Sequence, residues 1–329
     1  METVLVTGGG GFVGSALVSR LTESGYEVRV AGRNRYPQVE ELGATCLVGD
    51  IGDPEFADRA CAGVDTVFHT AAKAGIWGPW NEYRHTNVGG TVNIVNACRK
   101  HQIPRLVYTS TPSVVFDRRD IVDGDESLPY ATKPLCHYAR SKIIAERHVL
   151  ANNSDQLRTC AIRPHLIWGP NDPHLVPRLI ERGKQGSLRI IGNGTNLVDV
   201  TFVDNVAHCH LLAAENLETS DHAGGQAYFI GQEKPVRLWE WINGLYRDLG
   251  IPPVVRRVPF GLAYLMGGLL EALCKVGTQE NEPPMTRFLA LQLARSHSFS
   301  HEKAKNELGY RPIVSLEEGK QQLLESLIP

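Results

Sequence analysis

The sequence predicts an α/β chain, a doubly wound parallel sheet with helices on both faces and a smaller C-terminal lobe. Three observations predict it. Short apolar runs alternate with helical patterns through the first half of the chain. The opening run, Val4-Leu5-Val6, passes through Thr7 into Gly8-Gly9-Gly10-Gly11-Phe12-Val13-Gly14 and then a helical pattern carried by Ala16, Leu17 and Leu21. Beyond Gly169-Pro170 the alternation weakens and Pro and Gly become frequent. The expected division is residues 1–170 for the sheet domain, with returns near 200–215 and 226–231, and residues 171–329 mainly for the lobe.

Composition sets the outer limits. A chain of 329 residues is long enough for a sizeable core, and a net charge of −2 suggests no nucleic-acid partner. The 7 cysteines are scattered, with no Cys-x-x-Cys pair and no zinc-ligand spacing. The expectation is therefore reduced thiols, no metal and a cytoplasmic protein. The largely apolar stretch from Val258 to Leu273 falls short of the roughly 20 residues a spanning helix needs. It reads as a helix lining the lobe or a subunit contact, with a weak membrane-surface contact as the second reading.

Taken in order, the glycine run after the first strand is a phosphate cradle. Gly8 allows the tight turn, Gly11 lets backbone approach a pyrophosphate, and Gly14 permits close helix–strand packing. Phe12 and Val13 open the helix whose free N–H groups hold the anion. The second strand, Tyr26–Val30, ends at Ala31-Gly32-Arg33, where an NAD site usually carries an acid. A guanidinium there suits a 2′-phosphate, so Arg33, with Arg35 nearby, points to NADP(H). The third strand runs to Asp50, placed for the adenine, with Ile51 flanking the ring. Asp53-Pro54 opens a helix. The fourth strand, Thr66 to Ala72, ends in Ala71-Ala72, small enough for close approach to the cofactor; its His69 reads as a packed strand residue. Trp77 and Trp80 either wall a greasy pocket or pack a lid, and Asn87 is a polar link into a later helix.

The chemistry is concentrated after the fifth strand, Leu106–Ser110. Hydroxyls of Thr109, Ser110, Thr111 and Ser113 crowd the strand's C-terminal edge, where open α/β sheets bind ligands. Tyr138 and Lys142 then fall four apart in a helical pattern, on one face. A nearby ammonium should lower the tyrosine pKa and suit it to general acid–base work. A sixth strand, Thr159–Arg163, runs into the loop Pro164-His165-Leu166. Near Thr201–Ala207 the chain returns to the core, with Asp204 or Asn205 as helix cap, and Ala227–Gly231 forms a further strand.

Together these motifs resemble the extended short-chain dehydrogenase/reductase superfamily. The resemblance runs through Thr7-Gly8-x-x-Gly11-Phe12-x-Gly14, Gly49-Asp50, Ala71-Ala72, Asn87-x-x-Gly90-Thr91, Tyr138-x-x-x-Lys142, Arg163-Pro164 and Asp204-Asn205-Val206. Within it the chain is similar to the 3β-hydroxysteroid dehydrogenase-like branch. Ala71–Gly78, Tyr108–Val114, Leu166–Pro170 and Pro283–Ala290 resemble the 2-alkyl-3-oxoalkanoate reductases of bacterial long-chain olefin synthesis. The resemblance implies a Rossmann-type fold with a substrate-binding C-terminal lobe. It implies Tyr138 as proton donor and Lys142 as the residue that tunes it and holds the nicotinamide ribose. A hydroxyl near the fifth-strand edge would hold the substrate oxygen. Counting from Val114-Val115 points to Thr111; Ser113 matches a serine in the closer relatives, and both stay open. Lys73, Thr109, Arg163, Pro164 and Leu166 complete the expected cofactor shell.

The favoured expectation is NADPH-dependent reduction of an apolar β-keto substrate, in its sharp form a 2-alkyl-3-oxoalkanoate. A 3β-hydroxysteroid or sterol dehydrogenase is the first alternative. A nucleotide-sugar epimerase or dehydratase, with Arg178, Arg182 and Arg189 binding a diphosphate, is the second. A non-catalytic NADP(H) sensor is the third, disfavoured because Tyr138 and Lys142 are both present. The family implies a homodimer through two core helices, and association with pathway enzymes is a further expectation.

Overall fold

Side chains along each strand point alternately to opposite faces, and here both faces must be apolar. Val4 and Val6 pack with one set of helical residues, while Leu5 between them packs with another. Such strands belong in a sheet covered on both sides. The computed structural model, which describes residues 2–220, 222–276 and 282–327, has that architecture. Seven parallel strands form the main sheet: β1 (Thr3–Thr7), β2 (Glu27–Gly32), β3 (Thr45–Val48), β4 (Thr66–His69), β5 (Arg105–Thr109), β6 (Arg158–Pro164) and β7 (Gln226–Ile230). Their order is β7-β6-β5-β4-β1-β2-β3. The winding reverses at β1, between β2 and β4, and ligands of such sheets bind at that switch point.

Helices α1 (Phe12–Glu23), α2 (Pro54–Cys61), α3 (Gly90–Lys100), α4 (His137–Ala151) and α5 (Val203–Thr219) cover the sheet. Leu17, Leu21, Val206 and Leu217 place α1 and α5 on the face of Val4 and Val6. Ala57, Ile94, Val95 and Val149 place α2, α3 and α4 on the face of Leu5. Asp53 caps α2 by accepting the Glu55 N–H at 3.0 Å. Cys61, Cys98, Cys136, Cys160 and Cys209 are buried free thiols.

Several elements differ from expectation for identifiable reasons. β4 stops at His69, short of Ala71-Ala72, because Thr7 Oγ1 accepts the Ala71 N–H at 3.2 Å and draws the chain out of the ladder. A π-helical turn, Arg84–Gly89, precedes α3 and carries Asn87. Neither Asp204 nor Asn205 caps α5, which begins at Val203 behind Phe202. Asn205 is instead a clamp. Its Oδ1 accepts the N–H groups of Ile313 and Val314 at 2.8 and 2.9 Å. Its Nδ2 donates to Gln232 Oε1 at 2.6 Å and to the Val314 carbonyl at 2.8 Å.

A second apolar cluster, with Trp168, Val176, Ile191, Val198, Trp239, Tyr246 and Leu323, is built mostly from the C-terminal half. Ile121–Gly124 joins that half across a small sheet, pairing with His297–Phe299. The stretch from Val258 forms the helix Phe260–Val276, and no helix among the described residues is long and apolar enough to cross a membrane.

Replacing Asn205 by alanine strands two part-buried N–H groups at once and takes a donor from the buried Gln232. Each such loss costs roughly 1–3 kcal/mol. Urea unfolding of Asn205→Ala should show a loss of about 2–4 kcal/mol, and a loss below about 1 kcal/mol would contradict the clamp.

Candidate active site

The glycine run is shaped by what touches it. Gly8 has φ of +71°, and a side chain there would meet the Ala71 backbone at 2.8 Å. A Cβ on Gly14 would lie 2.2 Å from the Gly8 carbonyl oxygen, so α1 seats directly on the loop. A Cβ on Gly9 would lie 2.7 Å from the Val30 side chain, and one on Gly10 2.1 Å from the ring of Tyr36. Tyr36 was not anticipated as part of the loop; its aromatic type just beyond the β2 edge was the available signal. Gly11 is exposed, and a Cβ on it would meet only the Gly8 carbonyl oxygen. α1 has no side-chain cap and no acid in its first turn. Its free N–H groups at Phe12 and Val13, both part-exposed, fit a pyrophosphate.

At the ends of β2 and β3, Arg33 is exposed and makes no hydrogen bond or ion pair with a described residue, whereas Arg35 is held by Glu40 at 2.8 Å. Asp50 accepts the Gly52 N–H at 2.8 Å and meets His85 Nε2 at 3.2 Å. Burial opposes its ionisation, but the Gly52 and His85 hydrogen bonds prevail and, with nearby Arg33, hold the carboxyl below its ordinary value. Ile51, expected beside the adenine, turns inward instead, buried against Gly90.

At the C-terminal edge of β5, Lys142 Nζ donates to the Thr109 carbonyl at 2.5 Å and lies 4.2 Å from the Tyr108 ring centre. Thr109 Oγ1 pairs with His210 Nε2 at 2.7 Å. The Thr111 hydroxyl lies beside the Tyr138 phenol and favours its ionised form. Thr111 Oγ1 also donates to Ser113 Oγ at 3.2 Å, so Thr111, Ser113 and Tyr138 form one hydroxyl cluster. Ser110 Oγ is buried without a hydrogen-bond partner among the described residues.

The expected lowering of the tyrosine pKa is not found. Burial pushes the Tyr138 phenol up to about 12, only partly offset by the neighbouring Thr111 hydroxyl. The ammonium that was to lower it is turned to Thr109, and burial pulls Lys142 down to about 7 against the pull of Glu146.

Glu146 is the residue that motif reading missed. It lies four positions beyond Lys142 on α4 and is fully buried. It grips Arg163 through Nε at 3.0 Å and Nη2 at 2.6 Å, and it accepts the Tyr130 hydroxyl at 2.7 Å. The Arg163 side chain, expected at the cofactor, is thus committed to an internal pair. Pro164 is a buried strand residue paired with Ile230, and Leu166, at φ +37°, packs on the C-terminal cluster. Lys73 Nζ pairs with Glu82 at 2.6 Å. Ala71 and Ala72 are part-exposed and exposed beside the glycine loop.

A buried relay ties loop to helix. Thr7 Oγ1 meets His69 Nδ1 at 2.7 Å, and His69 Nε2 meets Thr91 Oγ1 at 2.9 Å. Thr91 donates to the Asn87 carbonyl at 2.7 Å. Asn87 Nδ2 donates to Ser141 Oγ at 2.8 Å, and Ser141 donates to the Tyr138 carbonyl at 2.7 Å. Because Thr91 spends its proton on Asn87, His69 must carry its own on Nε2. Burial lowers its pKa to about 3 and keeps it neutral, a packed strand residue as read from the sequence.

Tyr138 borders an apolar cluster of Phe116, Ala139, Phe288 and Leu291, with Ile76, Phe260 and Tyr264 packed against it. Trp80 packs outside, its ring 4.2 Å from the Arg140 guanidinium.

The Lys142 shift has a definite sign. Between about pH 7 and its ordinary value of 10.5, the unfolded chain holds a proton that the folded chain does not. Stability therefore rises with pH in that window, by at most about 1.4 kcal/mol per unit. Urea titrations of cofactor-free protein at pH 7, 8 and 9 should show the wild type gaining on Lys142→Met; parallel curves would contradict a depressed lysine.

Comparison with known proteins agrees with this architecture. Residues 5–259 match the model of the 3-beta hydroxysteroid dehydrogenase/isomerase family. The 2-alkyl-3-oxoalkanoate reductase of Stenotrophomonas maltophilia (strain K279a) is 46% identical over 325 residues, covering 98% of each chain. The sterol-4-alpha-carboxylate 3-dehydrogenase, decarboxylating, of Mus musculus is 37% identical over 98% of this chain and 90% of its own. The solved structure of MoeE5 in complex with UDP-glucose and NAD superposes with a TM-score of 0.75 at 27% identity, covering 99% of this chain and 98% of that one. A nicotinamide-dependent oxidoreductase of the short-chain dehydrogenase/reductase type is what this loop, this Tyr-x-x-x-Lys helix and these relatives have in common, and the chain belongs to the 3-beta hydroxysteroid dehydrogenase/isomerase family.

Proposed function

We propose that the protein reduces an apolar β-keto acid with NADPH, in the sharp form a 2-alkyl-3-oxoalkanoate to the 2-alkyl-3-hydroxyalkanoate. One observation carries the reading: Tyr138 sits between the Thr111 hydroxyl and an apolar wall of Phe116, Phe288 and Leu291. The 46% identity to a reductase of that name supports it.

When bound, the nicotinamide cofactor supplies the hydride. The glycine loop and the start of α1 would hold its pyrophosphate, and Arg33, unpaired at the β2 edge, its 2′-phosphate. Tyr138 gives its proton to the ketone oxygen. A phenol held at about 12 keeps that proton at neutral pH, which is the state reduction needs. Thr111, beside the phenol, turns its hydroxyl to the same oxygen and steadies it as charge develops. Ser113, 3.2 Å from Thr111, orients the threonine rather than the substrate. Both forms of Lys142 are accessible near pH 7, so its ammonium can return a proton toward Tyr138 and regain one from solvent.

The nucleotide-sugar reading loses its residues. Arg178 pairs with Glu282 at 3.0 Å, Arg182 donates to the Pro284 carbonyl, and Arg189 donates to the carbonyls of Gly186 and Leu188. None is left free for a diphosphate. A sterol substrate shares the apolar wall and remains the second reading, favoured by the 37% identity to a sterol dehydrogenase.

NADPH consumption should be faster with 2-alkyl-3-oxo acids than with any 3-oxosteroid tested beside them; robust turnover of steroids alone would overturn the proposal. Tyr138→Phe should lower kcat/KM by about 10²–10⁴-fold while NADPH affinity stays within about twofold. Arg33→Asp should weaken NADPH binding by about tenfold or more and leave NADH binding nearly unchanged. Equal losses for both cofactors would remove Arg33 from the 2′-phosphate site.

A further inference from the structure

Two cations beside the apolar wall at Tyr138 are already taken. Arg287, next to Phe288, is held by Glu271 at 2.7 Å, and Arg295, 5.0 Å from the Phe260 ring centre, is held by Asp120 at 3.0 Å. A polar group of another kind is left open. His165 is the first residue past β6, at the C-terminal edge of the sheet, where ligands of such folds bind. It is 7% exposed. Its Nε2 meets His297 Nδ1 at 2.6 Å, and its Nδ1 has no hydrogen-bond partner among the described residues. The His297 ring lies 5.8 Å from the Phe116 ring, which lies 6.2 Å from Phe288. The two imidazoles thus back the wall that Tyr138 borders.

The protons of the pair are fixed from one end. His297 Nε2 is 2.9 Å from the Gln292 carbonyl, which only accepts, so that nitrogen carries the hydrogen. Burial draws both rings below their ordinary pKa and keeps them neutral. A neutral His297 therefore accepts at Nδ1, His165 donates from Nε2, and the open Nδ1 of His165 is a bare lone pair. A carboxylate cannot bind a lone pair, whereas a carboxylic acid can. We infer that His165 reads the carboxyl of an apolar β-keto acid, which enters together with one proton from solvent. That proton lies in the hydrogen bond between His165 Nδ1 and the carboxyl oxygen, and no other bond changes. The inference rests on the proposed reading of the substrate and adds what selects an acid over its ester. Ketone and carboxyl of such a substrate are one carbon apart, so the group that reads the acid belongs in the same site as Tyr138. The charged groups about the pair leave this intact. Asp199 and Asp120 act on His297, and Asp199 accepts the Phe299 N–H at 2.7 Å with His301 3.5 Å away. Arg163, two positions before His165, is spent on Glu146.

The test is calorimetric titration of the full chain, with NADPH present, by octanoic acid and methyl octanoate, neither of which carries a ketone. At pH 6, 7 and 8, octanoate should take up about one proton per molecule bound, read from the dependence of the heat on buffer ionisation. Its affinity should fall about tenfold per pH unit, while the ester binds with no proton uptake and no pH dependence. His165→Phe should weaken octanoate binding about tenfold or more and leave the ester, which reports an intact apolar wall, within about twofold. His165→Asn, whose amide donates without taking a proton, should bind octanoate with the pH dependence flattened. Octanoate that does not bind at any of these pH values overturns the inference. So does octanoate that binds without proton uptake, or that binds His165→Phe as tightly as the wild type. So does a loss in both variants that the ester shares in full. Octanoate behaving as expected while 2-alkyl-3-oxo acids are not reduced removes the reaction assignment alone. Turnover of those acids by His165→Phe with unchanged KM removes this inference alone.

Discussion

The structure depends on the short path by which the glycine loop is locked to the helix of Tyr138. Gly14 has no room for a side chain because the Gly8 carbonyl fills it, and that contact aims the start of α1 at the switch point of the sheet. From Thr7, the residue before Gly8, hydrogen bonds run through His69, Thr91, Asn87 and Ser141 to the Tyr138 carbonyl. Every step is buried or part-buried, and a neutral histidine is the only species that fits both of its neighbours. The glycine loop and the helix of Tyr138 are thereby referred to one frame. An error in one strand's position would be felt at the other end of the site.

Burial dominates the electrostatics around that frame. The sequence spacing implied that Lys142 would make Tyr138 more acidic, as an exposed pair on a helix face would. In the folded chain, desolvation raises the phenol and lowers the amine, each toward its neutral form. Glu146 and Arg163, buried beside them, pair bidentately, with Tyr130 filling a further lone pair of the carboxylate. A buried pair of this kind contributes little net stability, and losing one partner is costly. Its effect is positional: it pins α4 to β6, on the strand next to the one that carries Thr109.

The main sheet was legible because its signals are local. Apolar runs of strand length, a glycine turn and helical periodicity each lie within about twenty residues, and they gave the strands and covering helices with their approximate bounds. The site was legible where function imposes a motif, as with Thr7–Gly14 and Tyr138–Lys142. It was not legible where tertiary contact decides. Nothing near Asn205 in sequence announces Ile313 and Val314 as its partners, so a helix cap was the natural reading. Arg163 and Glu146 are separated by a helix end and a loop, and motif matching assigned the arginine outward. The pairing of Ile121–Gly124 with His297–Phe299 joins residues far apart in the chain, and no periodicity encodes it.

The superposition on a sugar-nucleotide complex shows how little the backbone alone decides. The two backbones superpose over nearly their whole length. What the proposed chemistry turns on is how the lobe of this chain disposes of its charge. A diphosphate needs guanidinium groups held ready and unpaired, because a group already satisfied by a carboxylate gains little from a second anion. Here Arg178 is engaged by Glu282, and Arg182 and Arg189 donate to backbone carbonyls. Around Tyr138 the neighbours are instead Phe116, Phe288 and Leu291, which stabilise a substrate only by removing apolar surface from water. A sugar diphosphate would lose its hydration in such surroundings and gain no compensating bonds, whereas an alkyl chain loses nothing. The proposed preference for a greasy ketone thus rests as much on which charges are already paired as on which side chains line the site.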